Sequence, residues 1–200
     1  MTADPRPIDF WFSIGSTYTY LSVARLPEEQ ARSGIPFRWR PFNVRSIMRE
    51  MNNIPFSTKP AKAAYMWRDV ERRAGTHGIA FAGIPPYPIT SLERANRIGL
   101  VAAQEGWVVP FAQAAYRKWF LQHQQPVDDD SIAADLEALG QDPARVLALA
   151  DSAAGIAALE RETNEAKALG IFGSPTFVVG QELFWGDDRL EDAMRWWQAH

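Results

Sequence analysis

The residues able to do chemistry in this chain are few, and what is missing narrows the choice. Cysteine is absent, and histidine occurs only at His77, His123 and His200. Without cysteine there is no disulfide, no thiolate metal site, no cysteine nucleophile and no Cys-x-x-Cys redox pair. The histidines are not at ligand spacing, so neither a metal site nor a histidine-based triad is expected. The remaining candidates are polar residues at the starts of helical patterns. Ser16 follows an alternating apolar run and opens a helical one. A helix start offers unpaired N–H groups and about half a positive charge. A serine there can cap the helix. It cannot do redox chemistry, but its hydroxyl can donate a hydrogen bond. Asp188 and Arg189 open the last helical pattern, a natural place for a carboxylate ligand. Asp188 with Glu191 also reads as a capping box. Asn53 sits in a loop, where asparagine usually forms turns. Arg94 and Arg97 follow a proline-rich loop and suit bidentate pairing with a substrate carboxylate, with plain surface as the default. Lys62, Tyr65, Asp69, Arg72 and Arg73 have helical spacing and read as a solvated face with one salt bridge.

These residues need elements to hold them. Ile8, Phe10, Phe12 and Ile14 alternate with Asp9, Trp11 and Ser13, a period of two that predicts a strand. Tyr18, Leu21 and Ala24 then fall at helical spacing, with Ser16 as the expected N-cap. Pro27 is expected to kink this helix or to begin a second segment. Gly34 ends it. Phe37 to Phe42 read as a second strand, and Pro41 places it at a sheet edge or a strand end. The connection is long enough for a parallel β–α–β pair. The middle of the chain differs. After Ile47, Met48, Met51 and an Asn-Asn-Ile-Pro loop, helical patterns cover 60–76, 91–105, 110–122, 129–139, 143–150 and 153–169. Residues 44–170 therefore read as helical and without strands. At the end, Thr176 to Val179 and Glu182 to Trp185 predict two strands joined by a tight turn at Gly180-Gln181. A last helix follows.

Composition sets the outer bounds. The 200 residues are 46% hydrophobic and 22% charged, which suits a folded chain with a sizeable core. The net charge of −3 speaks against a nucleic-acid or anionic-membrane partner. No run reaches the ~18 apolar residues of a membrane span. No targeting segment is read at the start, and a soluble, cytoplasmic protein is expected. Trp67, Trp107 and Trp119 are expected in the core, or lining an aromatic pocket.

The segment Asp9-Phe10-Trp11-Phe12-Ser13-Ile14-Gly15-Ser16-Thr17-Tyr18-Thr19-Tyr20-Leu21 resembles the opening motif of the 2-hydroxychromene-2-carboxylate isomerases. These belong with kappa-class glutathione transferases to the DsbA-like branch of thioredoxin folds. Gly170-Ile171-Phe172-Gly173-Ser174-Pro175-Thr176-Phe177 and Trp185-Gly186-Asp187-Asp188-Arg189-Leu190 resemble that family's closing motifs. The resemblance implies an α/β, thioredoxin-like fold, β–α–β then β–β–α. Residues 1–43 and 171–200 would form the thioredoxin-like part, and 44–170 an inserted all-helical domain. It implies glutathione as cofactor, with Ser16 on the sulfur in the place where redox relatives carry cysteine. The backbone of Ser174, before a cis Pro175, would pair with the cysteinyl part. Asp188 and Arg189 would hold the γ-glutamyl end, and Asn53 a further contact. The implied reaction is cis–trans isomerisation of 2-hydroxychromene-2-carboxylate, or a related conjugated aromatic acid, to trans-o-hydroxybenzylidenepyruvate in aromatic-compound breakdown. A homodimer is implied as well. A kappa-like glutathione transferase and a glutathione- or peptide-binding DsbA-like protein without redox activity are the alternatives. The family's proline after the serine is Thr17 here, and Ser174 replaces a small apolar residue.

Overall fold

The computed structural model describes residues 6–53 and 59–200. Strand β1 (Ile8–Phe12) is the axis of the fold. It pairs in parallel with β2 (Phe37–Pro41) and antiparallel with β3 (Thr176–Val179), and β3 pairs antiparallel with β4 (Glu182–Trp185). The order β2-β1-β3-β4 leaves β2 at an edge, as Pro41 required. The alternation of β1 splits the core in two. Ile8, Phe10 and Phe12 point to one side, and Phe10 stacks on Phe177 and meets Trp39 edge-on. Trp11 points to the other, against Phe42, Val44, Ile47, Ile171 and Val178. The Arg40 guanidinium lies 3.9 Å over the Trp11 ring.

Helix α1 (Thr19–Ser33) links β1 to β2. It runs through Pro27 without a second segment beginning there. Proline removes one hydrogen bond, but Tyr20, Leu21, Val23 and Leu26 bury the face just before it, and packing outweighs that loss. The middle carries α2 (Val44–Glu50), α3 (Pro60–Thr76), α4 (Leu92–Glu105), α5 (Val108–Gln122), α6 (Ile132–Ala138), α7 (Pro143–Asp151) and α8 (Ala153–Ala168). Helix α9 (Leu190–Ala199) closes the chain. No strand occurs in the middle among the described residues. Helix α5 starts before Pro110 because proline is tolerated in a first helical turn. One hydrophobic cluster joins Phe10, Phe12 and Phe177 of the sheet to Trp67, Trp107, Phe111 and Trp119 of the middle helices. The three tryptophans expected in the core are thus buried.

Candidate active site

The loop after β1 does not cap α1 as expected. Helix α1 begins at Thr19, and no side chain caps it. Gly15 has φ 114°, a conformation that L side chains rarely adopt. A Cβ there would also meet Ile89 and Leu92 at 2.8 Å. This bend sets Ser16 ahead of the helix, with its N–H on the Ser13 carbonyl at 3.0 Å. The Ser16 hydroxyl donates instead to the Ser174 carbonyl, at 2.6 Å. The first turn of α1 carries no acidic residue, so nothing there opposes its positive end.

Ser174 precedes a cis peptide bond to Pro175, as the resemblance implied. Its side chain also works. The Ser174 hydroxyl accepts the Ser13 N–H at 2.9 Å and lies 2.9 Å from the Thr19 hydroxyl. The expectation assigned a role only to the backbone of residue 174.

Two side chains from the middle helices hold the same loop. Buried Asn96 accepts the Ile14 N–H at 2.9 Å and donates to the Leu92 and Ile14 carbonyls. Buried Tyr116 turns its hydroxyl to the Ser13 and Ser16 carbonyls, each at 3.0 Å. Burial holds this phenol well above its ordinary pKa, so it remains a donor. Thr17, where the family has proline, donates to the Met66 sulfur of α3 at 3.0 Å.

The turn Asp187–Arg189 is a 3-10 turn, not a capping box. Glu191 does not reach back to close a box; it pairs with Arg25. Asp187 is the buried carboxylate. It accepts the Ser22 hydroxyl at 3.0 Å and Arg73 Nη2 at 2.6 Å, with Arg25 Nη1 at 3.5 Å. Arg73 therefore leaves the solvated face expected of α3. Asp69 of that face pairs with Arg72 at 3.1 Å and also accepts the Tyr18 hydroxyl. The Gly186 N–H donates to the Pro175 carbonyl at 2.9 Å, tying this turn to the proline segment. Asp188 and Arg189 are half exposed and paired at 2.8 Å.

The amino-acid sequence matches the DSBA-like thioredoxin domain over residues 7–195. The chain belongs to that family. It is 26% identical over 188 residues to the 2-hydroxychromene-2-carboxylate isomerase of Sphingobium xenophagum, covering 93% of this chain and 95% of the relative. It is also 26% identical over 200 residues to glutathione S-transferase kappa 1 of Caenorhabditis elegans, covering 93% and 88%. A solved 2-hydroxychromene-2-carboxylate isomerase has the same fold, with a TM-score of 0.83, 26% identity and 95% of each chain covered. The α/β thioredoxin-like fold expected from the sequence is the fold observed.

Within this DSBA-like frame, Ser16, Ser174 and Pro175 come together, and Asp188 and Arg189 sit one hydrogen-bonded turn away. Asn53 does not join them. It is exposed, its N–H closes α2 on the Met48 carbonyl at 2.8 Å, and its side chain bonds to none of the others among the described residues. Asp187, Asn96 and Tyr116 escaped the sequence reading. Asn96, at helical spacing from Leu92 and Leu100 on α4, was the one readable signal among them. Among the described residues no cluster of three or more His, Asp or Glu could hold a metal ion, and no helix is long and apolar enough to cross a membrane.

Proposed function

We propose that this chain is a glutathione-dependent cis–trans isomerase acting on 2-hydroxychromene-2-carboxylate or a related conjugated aromatic acid. The observation that carries the reading is the Ser16 hydroxyl on the Ser174 carbonyl at 2.6 Å. One donor and one acceptor stand side by side at a helix start, as a cysteinyl unit needs them. Its sulfur calls for the donor and its N–H for the acceptor. When bound, glutathione supplies a thiolate that adds reversibly to a conjugated double bond.

The chain's own residues do the rest. The Ser16 hydroxyl turns from the carbonyl to the sulfur and favours the charged thiolate, helped by the positive end of α1. The Ser174 carbonyl, so released, accepts the peptide N–H in a strand-like contact. Asn96, Tyr116 and the Ser174 hydroxyl keep the loop in place during this exchange. Asp188 faces the γ-glutamyl ammonium and Arg189 its carboxylate, on a turn anchored through buried Asp187. Asn53 is kept as a further contact from the end of α2. Residues 44–170 act as the inserted helical part over the substrate side. A cytoplasmic homodimer completes the proposal.

The test is direct. Millimolar glutathione should raise the melting temperature through linkage. The acid should interconvert without loss of free thiol. Ser16→Ala should lower kcat/KM at least about tenfold, in line with loss of a charge-stabilising donor, while stability moves by under ~1 kcal/mol. No thermal shift with glutathione, or full activity in Ser16→Ala, refutes the reading. The kappa-class relative favours a second reading, a glutathione transferase. Steady loss of thiol in the presence of an electrophile selects it.

A further inference from the structure

A cleft of about 430 Å³ opens between α2 and the start of α4. Four arginines line it, Arg45 and Arg49 from α2 and Arg94 and Arg97 from α4, against the carboxylates of Glu93 and Asp129. The two pairs differ. Arg94 is fully engaged, with Asp151 at 2.7 Å and with Asp129. Arg97 shares the same Asp151 at 2.9 Å, and its buried Nε–H has no partner among the described residues. On α2, Arg45 makes a long contact to the Ile89 carbonyl at 3.3 Å. Arg49 is exposed and makes no ion pair among the described residues. Glu93 turns to Asn43. Arg45 and Arg49 stand one helical turn apart, so their charges meet on one face and repel. Ser91, at the start of α4, makes no capping bond and lines the same cleft. Fixed cations, a helix start and a hydroxyl thus converge without enough acid to neutralise them.

The cleft borders the Ser16 loop. Leu92, one of its lining residues, is also a residue that a Cβ on Gly15 would strike at 2.8 Å. One side chain therefore forms the wall of the cleft and the support of the loop.

We propose that this cleft binds the carboxylate of the organic acid on which the site acts, with Arg45 and Arg49 as the receiving pair and Arg94 and Arg97 as a fixed positive wall. The identity of the acid rests on the function proposed above; the anion site does not. The probe is trans-2-hydroxycinnamate, titrated calorimetrically into the full chain. Its primary amide and inorganic phosphate are the comparators. The acid should bind, and the amide about tenfold more weakly, for loss of a charge-assisted contact. Arg49→Gln should weaken the acid about tenfold and leave the amide unchanged, and Arg45→Gln should act alike. Arg49→Lys should recover part of the loss, because it keeps the charge. Equal binding of acid and amide, an unchanged affinity in Arg49→Gln, or displacement of the acid by equimolar phosphate overturns the proposal. Arginine-dependent binding of the acid in a chain that glutathione does not stabilise removes the function proposed above and leaves the cleft standing.

Discussion

Around Ser16 the polar groups are mostly neutral, largely buried and matched partner to partner, whereas along the cleft between α2 and α4 they are charged, partly exposed and shared. The Ile14 N–H has Asn96, the Ser13 N–H has Ser174, and the Ser13 and Ser16 carbonyls have Tyr116. In the cleft two arginines share Asp151, while Arg49 makes no ion pair among the described residues. The first arrangement fixes geometry, because each lost partner strands a buried group. The second fixes an electric field, which water and salt screen. The function proposed above uses the former to hold a thiolate, and the cleft proposal uses the latter to capture an anion.

Breaking the buried side should cost most. Asp187 joins the 187–189 turn to α1 and α3 through Ser22, Arg25 and Arg73. Asp187→Ala leaves buried positive charge uncompensated and should destabilise the chain by about 3–5 kcal/mol in urea unfolding. Asn96→Ala comes next, at roughly 2–3 kcal/mol, because the Ile14 N–H loses its acceptor. Hydrogen exchange at Ile14 should accelerate along with it. On the charged side, Asp151→Asn should cost under ~1 kcal/mol, a difference that shrinks further in molar salt. If the order of these three were reversed, the contrast between the two regions would be lost.

The smallest effect is a pH limb at a second exposed pair. Hydrogen bonds from Arg145 and the Trp107 indole hold Glu105 down to about 2. Its folded value lies below the unfolded ~4.3, so its contribution is complete above that value. It disappears as pH falls toward about 2. Exposure limits it to under ~1 kcal/mol. Arg145→Gln should flatten this part of the stability profile, as measured by unfolding between neutral and acid pH.

Much of the architecture was legible because it is local. The alternation from Ile8 to Ile14 carries β1, and Gly180-Gln181 joins β3 to β4 as a hairpin. Ser16 and Ser174-Pro175 were legible through motif spacing at both ends of the chain. What was not legible is long-range. Nothing near Asp187 says that it, rather than Asp188, turns inward, since its partners lie more than a hundred residues away. The pattern Asp188 to Glu191 suggested a cap, but Arg25 claims Glu191. Ser16 likewise looked like a cap until Gly15 moved it off the helix. Arginine spacing alone did not separate Arg94 and Arg97, held by Asp151, from Arg45 and Arg49, which form no ion pair among the described residues.

Asn96 and Tyr116 lie on α4 and α5, yet the loop they hold precedes α1. The middle helices therefore cannot be exchanged as a cassette between relatives unless both residues travel with them. A chimera that imports another middle segment carries its own version of the serine loop, and changes in that segment are inherited by the site as changes in where Ser16 stands.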